Sequence, residues 1–188
     1  MVNFLNRIFK YKQKDMNVLL SCDSKIAKYI PALQASLYEN HKDKKVKIFL
    51  MHSGISLDVI SEIKQFALSY DNKFVDILVD KGFYEFFNNR NDTTKYPLEC
   101  FFYLFAHKYL PRRIDRILCL DIDIIINKSI YDFYSSDFNN KYFIAPGVFL
   151  EPTSTGILNS GVLIMNLKKF ILIQLPISTI CLDKQLMM

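Results

Sequence analysis

Three short apolar runs, "NVLLSC" (17–22), "VKIFLMH" (46–52) and "KFVDILV" (73–79), constrain this chain most. Each has the length of a buried strand, not of a helix. Helical stripes separate them. Ile26, Ile30, Leu33 and Leu37 recur at spacings of four, three and four, with Pro31 tolerated near the start of that helix. In the second stripe Ser56 offers an N-cap, Asp58 sits in the first turn, and Val59, Ile63, Phe66 and Tyr70 form the apolar face. Strands that alternate with helices imply an α/β fold: a mostly parallel sheet flanked by helices on both faces. In such sheets a ligand binds outside the carboxyl ends of the strands.

The alternation continues downstream. Residues 88–96, "NNRNDTTKY", read as a polar loop, and "PLECFFYLFAHKYL" (97–110) as a helix buried on several sides. A strand over 114–120 follows, then a short helical stretch near "SIYDFYSSD". "KYFIAP" and "GILNSGVLIMNL" read as two more strands. There is no repeat and no Gly/Ser/Pro-rich linker. The expected organisation is a basic arm over 1–15, one domain over 16–170 and an atypical tail over 171–188, where the helical pattern breaks without a cap.

With 188 residues, 51% of them apolar and 23% charged, the chain can build a real core, and wholesale disorder is excluded. The net charge of +5 does not mark a nucleic-acid-binding face. Arg7, Lys10, Lys12 and Lys14 supply four of those charges from residues 1–14, which hold no acid. Phe4, Leu5, Ile8 and Phe9 share one side of a helical wheel there, which suits a weak membrane-surface contact through residues 1–14; the plainer reading is a frayed start. Met16 stands just before the first strand as an alternative start. No run is long enough to span a bilayer and no cleavable signal pattern is present. Cys22, Cys100, Cys119 and Cys181 lack metal-type spacing, and His41, His52 and His107 form no ligand pattern. The expectation is a cytoplasmic protein with reduced thiols, peripheral at the inner face of the membrane at most.

Within "RIDRILCLDIDIIINKSI" (113–130), Asp121 and Asp123 sit in a segment otherwise built for burial. An unpaired buried carboxylate costs several kcal/mol, so a positive partner is required. Side chains two apart in an extended segment point the same way, with origins about 6.6–7 Å apart. Two carboxylates without histidine or thiolate favour a hard ion, Mg²⁺ or Mn²⁺, completed by waters or phosphate oxygens. The plainer reading is that one aspartate caps the next turn and the other is solvated. Asp23 likewise doubles as an N-cap candidate, and Gly161 as the mark of a strand bulge.

The context around the pair carries a resemblance. "LPRRIDRILCLDIDIIINKSIYDFYSSDF" resembles the metal-binding segment of glycosyltransferase family 8, which includes lipopolysaccharide galactosyl- and glucosyltransferases and is related to glycogenin. "NVLLSCDSKIAKYIPALQASLYEN", "LECFFYLFAHKYLP" and "LNSGVLIMNLKKF" resemble its first strand and helix, the helix before the metal strand, and its Asn-x-Gly-Val strand, in that order. The resemblance covers roughly residues 16–170. It implies a Rossmann-like nucleotide-diphospho-sugar transferase (GT-A) fold and a retaining transfer of a hexose from a UDP-sugar to an acceptor hydroxyl on a glycan or lipid-linked saccharide. Asp121 and Asp123 would hold Mn²⁺ or Mg²⁺, with Ile122 against the ribose. Ser21, Cys22, Asp23 and Ser24 would form the uridine edge, and Asn159, Ser160 and Gly161 would face the sugar, glycine permitting close backbone approach.

Two departures stand out. Many relatives carry an arginine in the helix before the metal strand, where this chain has Tyr103. The family's later Asp-Gln-Asp stretch and C-terminal histidine ligand have no counterpart here, so the chain reads as truncated at its C-terminus. An inactive nucleotide-sugar-binding remnant is therefore the alternative, since binding and turnover use the same aspartates. A haloacid dehalogenase-type phosphohydrolase also opens with a strand ending Asp-x-Asp. That class has Thr or Val where Ile125 stands and a paired acid downstream, and its motif opens the domain; none of these holds here.

Overall fold

The fold is given by a computed structural model, which describes residues 15–80, 82, 97–148 and 157–172. Strand β1 (Met16–Cys22) leads through a 3₁₀ turn at Ala27–Tyr29 into helix α1 (Ile30–Glu39). Then follow β2 (Val46–His52), α2 (Leu57–Ser69) and β3 (Lys73–Leu78). A long 3₁₀ helix (Leu98–Phe105) runs into the single turn α3 (Ala106–Tyr109), and β4 (Arg116–Leu120) and α4 (Tyr131–Ser135) come next. The C-terminal part holds β5 (Phe143–Ile144), β6 (Gly147–Val148), β7 (Ile157–Leu158), β8 (Val162–Asn166) and α5 (Leu167–Leu172). The arm over 1–14, the polar stretch 88–96 and the tail from 173 lie outside the described residues.

The six-stranded sheet has the order β3-β2-β1-β4-β8-β5. β1 pairs in parallel with β2 from Met16↔Val46 to Cys22↔His52, and with β4 at Val18↔Leu118 and Leu19↔Cys119. β2 and β3 are also parallel, whereas β8 runs antiparallel to both β4 and β5. Only β8 therefore opposes the rest, and the sheet is mostly parallel as its alternating pattern requires. β6 and β7 form a separate antiparallel ribbon.

Strand alternation divides the core into two layers. Val18, Leu20, Cys22, Ile48, Leu50, Leu118, Leu120 and Ile164 face α1 and α2, meeting Ile30, Leu33, Leu37, Ile60 and Ile63. Leu19, Phe49, Met51, Ile117, Cys119, Leu163 and Met165 face the other way, onto Phe102, Phe105, Ala106 and Phe170. Burial of each large side chain contributes about 1.5–3 kcal/mol before chain entropy is set against it.

Two elements differ from the sequence pattern. Residues 98–105 wind as a 3₁₀ helix where an α-helix is expected. With three residues per turn, Phe102 and Phe105 stack on one side and are buried against the sheet, while Cys100 and Tyr103 share another. The single strand expected over 156–167 is broken in two at Asn159–Gly161, and its first half joins the ribbon. Pro146, which has no N–H to give a sheet, accepts from the Asn159 amide at 3.0 Å and anchors that break.

Candidate active site

The chain leaves β1 for β2 on one side, and returns from β3 to β4 on the other. The order reverses between β1 and β4, which leaves a crevice at their carboxyl ends. A cleft of about 590 Å³ opens there. Ser21 from β1, Cys119 from β4, Asp121, Ile122 and Asp123 just beyond it, and Ser160 line it, with Ile26, Tyr29, Cys100, Phe101 and Tyr103 as its walls.

Local structure explains how the two aspartates face this space. β4 ends at Leu120, and the Asp121 amide donates to the Gly161 carbonyl at 2.8 Å. Ile122 is buried in the layer under α1 and α2, so its neighbours on either side turn outward. The following loop is tied to α1: the Ile126 amide donates to Ser36 Oγ at 3.1 Å, and Asn40 Nδ2 donates to the Ile126 carbonyl at 2.8 Å. Gly161 lies so close that a Cβ placed on it would stand 2.3 Å from Asp121 Oδ2 and 2.9 Å from its Cγ. Its amide donates to Asn159 Oδ1 at 2.9 Å, which holds the turn closed against β4. Any side chain there would make the Asp121 carboxylate turn or the backbone shift.

The electrostatics of the cleft are one-signed. Partial burial and then the neighbouring Asp123 raise the Asp121 carboxyl above its ordinary value. Burial, followed by Asp121, Glu99 and Asp23, raises the Cys100 thiol. Cys22 is pushed up to about 12 by burial, then Asp23 and Glu99. No lysine or arginine is among the described lining residues, and neither Asp121 nor Asp123 has an ion pair among the described residues. Such a cleft repels a phosphate unless a cation enters with it. The donor set fits a hard divalent ion completed by ligand oxygens and water. Among the described residues no third histidine, cysteine, aspartate or glutamate joins the pair.

The structure brings Ser21, Asp121, Ile122, Asp123 and Ser160 to one cleft and places Gly161 behind Asp121. Asn159 is exposed beside it. The Cys22 side chain points into the core layer under the helices. Asp23 Oδ1 accepts from the amides of Lys25 (2.8 Å) and Ile26 (3.1 Å), so it caps the turn into α1. Ser24 is exposed beside that turn. Sequence reasoning missed Ile26, Tyr29, Cys100 and Phe101 as lining residues; the spacing of three between Cys100 and Tyr103 was the available signal. The histidines serve elsewhere. His41 Nδ1 lies 2.7 Å from the Leu37 carbonyl and its Nε2 accepts from the Ile130 amide at 2.9 Å. His52 Nε2 contacts Asp76 Oδ1 at 2.6 Å, and its Nδ1 accepts from the Gly54 and Ile55 amides.

This sheet order with a crevice beside an Asp-x-Asp strand end defines the GT-A glycosyltransferase fold. A galactosyltransferase, LgtC, solved with donor and acceptor sugar analogs, matches with a TM-score of 0.71 at 19% identity, over 82% of this chain and 59% of that one. GlyE of Streptococcus pneumoniae TIGR4 matches at 0.64 and 20% identity, over 84% and 35%. The sequence profile of glycosyl transferase family 8 matches residues 17–171, and the chain belongs to that family. A lipopolysaccharide 1,2-glucosyltransferase of Escherichia coli is 23% identical over 149 residues, 73% of this chain. The chain spans 43% of that relative's length. Family membership sets aside the phosphohydrolase reading. No helix among the described residues is long and apolar enough to cross a membrane.

Proposed function

We propose that this chain carries the donor site of a hexosyltransferase that uses a UDP-sugar and a divalent ion, Mn²⁺ or Mg²⁺. The transfer would go to a hydroxyl of a glycan or lipopolysaccharide-type acceptor, with retention at the anomeric carbon. One observation carries the reading: Asp121 and Asp123 stand without a cationic partner among the described residues, at the mouth of a cleft that offers a phosphate no positive side chain.

In this reading Asp121 and Asp123 hold the ion. When bound, the ion supplies Lewis-acid stabilisation of the departing diphosphate. Ser21 and the capped turn of Asp23 and Ser24 border the nucleoside, and the backbone of Ile122 lies along the ribose. Asn159, Ser160 and Gly161 shape the sugar side, where the missing side chain of Gly161 keeps Asp121 in place. Cys100, Phe101 and Tyr103 form one wall of the cleft.

The test is calorimetry of UDP binding in Mn²⁺ buffer and in chelator. The wild type is expected to bind in Mn²⁺ only, and Asp121→Asn with Asp123→Asn to lose roughly tenfold or more in affinity. Equal UDP affinity in chelator, or an unchanged double variant, overturns the reading. Transfer of hexose from UDP-hexose, followed by released UDP, separates an enzyme from a nucleotide-sugar binder. The second reading, binding without turnover, draws on the lack of a third metal-ligating side chain among the described residues.

A further inference from the structure

The opposite end of the sheet carries a second cavity, of about 480 Å³, at the amino ends of β1, β2, β3 and β4. Its character reverses that of the cleft. Lys47 comes from β2, Lys73 opens β3, and Arg113 and Arg116 come from the approach to β4 and its first residue. Asp15 and Asp115 also line it, so four cations face two carboxylates. Arg116 is already committed: its guanidinium donates to the Tyr134 carbonyl and lies over the Phe138 ring, 4.6 Å from the centroid. Lys47, Lys73 and Arg113 have no ion pair among the described residues, despite the two acids nearby, although Lys47 Nζ lies over the Phe49 ring, 4.8 Å from its centroid. Their mutual repulsion is visible in Lys47. Burial, then Arg113 and Lys73, pull its ammonium below the usual lysine range, with Asp15 acting in the other direction.

Like charges converge here, and the two carboxylates of the cavity, Asp15 and Asp115, balance only half of them. Register explains why they are held together. Lys47 pairs directly with Lys73 across the parallel β2–β3 ladder, which roots the two side chains next to each other on one face of the sheet. Directly opposite like charges destabilise a sheet, and a bound anion removes that cost. Arginine and lysine on neighbouring elements of a concave site are the donors that match phosphate oxygens.

We propose that this cavity is an anion site for a phosphate-bearing group, bound by Lys47, Lys73 and Arg113. It is separate from the donor cleft and independent of whether the cleft turns over a sugar nucleotide. A free phosphate compound and the phosphate of a lipid headgroup share this chemistry.

The experiment uses the full chain in chelator, where the acidic cleft repels phosphate, with pyrophosphate as the probe. Calorimetry measures affinity and amide chemical shifts locate it. Saturable binding is expected, with shifts centred on Lys47, Lys73 and Arg113, weakening as salt rises. Lys47→Gln with Arg113→Gln is expected to reduce affinity roughly tenfold or more. Lys73→Gln, at an exposed position, gives a weaker loss in the same direction and guards against misfolding of the double variant. Asp121→Asn is expected to leave pyrophosphate affinity in chelator unchanged. Sedimentation with phosphatidylglycerol vesicles, compared with phosphatidylcholine, distinguishes the sources: competition with pyrophosphate marks a lipid headgroup, and its absence a free phosphate. No saturable binding, shifts centred on the cleft, or a Lys73→Gln variant and a folded double variant that both bind like the wild type would overturn the proposal.

Discussion

Asp121 shows how a single residue can work against the fold. Its carboxyl is raised by partial burial and by Asp123, so the folded chain holds the proton more tightly than the unfolded one. Below the ordinary carboxylate range both states are protonated and the group costs nothing. As pH rises through the ordinary value the unfolded chain loses its proton first, and stability falls until the folded value is passed. At neutral pH and without metal, Asp121→Asn should therefore melt at a higher temperature than the wild type, with the difference vanishing in acid. Thermal melts in chelator across that pH range check this. Mn²⁺ with UDP should reverse the order, because the wild type binds them more tightly than the variant. An asparagine variant that melts below the wild type at neutral pH in chelator would show that Asp121 has an internal partner. The sequence reading put Asp121 and Asp123 on one side of an extended segment, whereas β4 ends at Leu120 and Ile122–Asp123 form a turn that still brings both carboxylates to the cleft.

Between elements, the decisive feature is the break at 159–161. The sequence signals an interruption there only through Asn159-Ser160-Gly161, read as a strand bulge, and nothing in it says that the first half pairs with Gly147–Val148 instead of with the main sheet. That choice depends on a contact distant in sequence, the Asn159 amide on the Pro146 carbonyl. Tertiary packing likewise decides the 3₁₀ winding of 98–105, since three residues per turn bury Phe102 with Phe105 and turn Cys100 with Tyr103 toward the cleft. The strand-to-helix alternation up to β4 was legible because each strand is apolar on both faces and each early helix carries one stripe. Gly161→Ala tests the break. The new methyl meets Asp121 Oδ2 at 2.3 Å, so the carboxylate must turn or β8 must shift. The expected loss is about 1–3 kcal/mol in urea unfolding, together with a marked fall in UDP affinity in Mn²⁺. Wild-type affinity in the alanine variant would mean that Asp121 need not occupy its present position to bind.

Across the whole molecule the two ends of one sheet carry opposite charge: carboxylates beyond the strands' carboxyl ends, lysines and arginines at their amino ends. The central strands are what hold those ends apart. All seven residues of β1 pair with β2, β1 also pairs with β4, and its apolar residues are buried on both faces. The margins are weaker: β3 leaves Leu78 62% exposed, and β5 has two residues. Local opening free energy follows this gradient, since it scales with buried contact and ladder continuity. Amide hydrogen exchange should thus be slowest in β1, β2 and β4, faster in β3, and fastest in β5 and the β6–β7 ribbon. UDP with Mn²⁺ should add protection at Asp121 and Gly161, where the β4 terminus and the turn before β8 share a hydrogen bond, and leave Lys47 and Lys73 unchanged. Exchange in β5 as slow as in β1 would show that the C-terminal strands form a unit as stable as the parallel core. The cleft, which lies between the two, would then be as rigid beside β8 as beside β1.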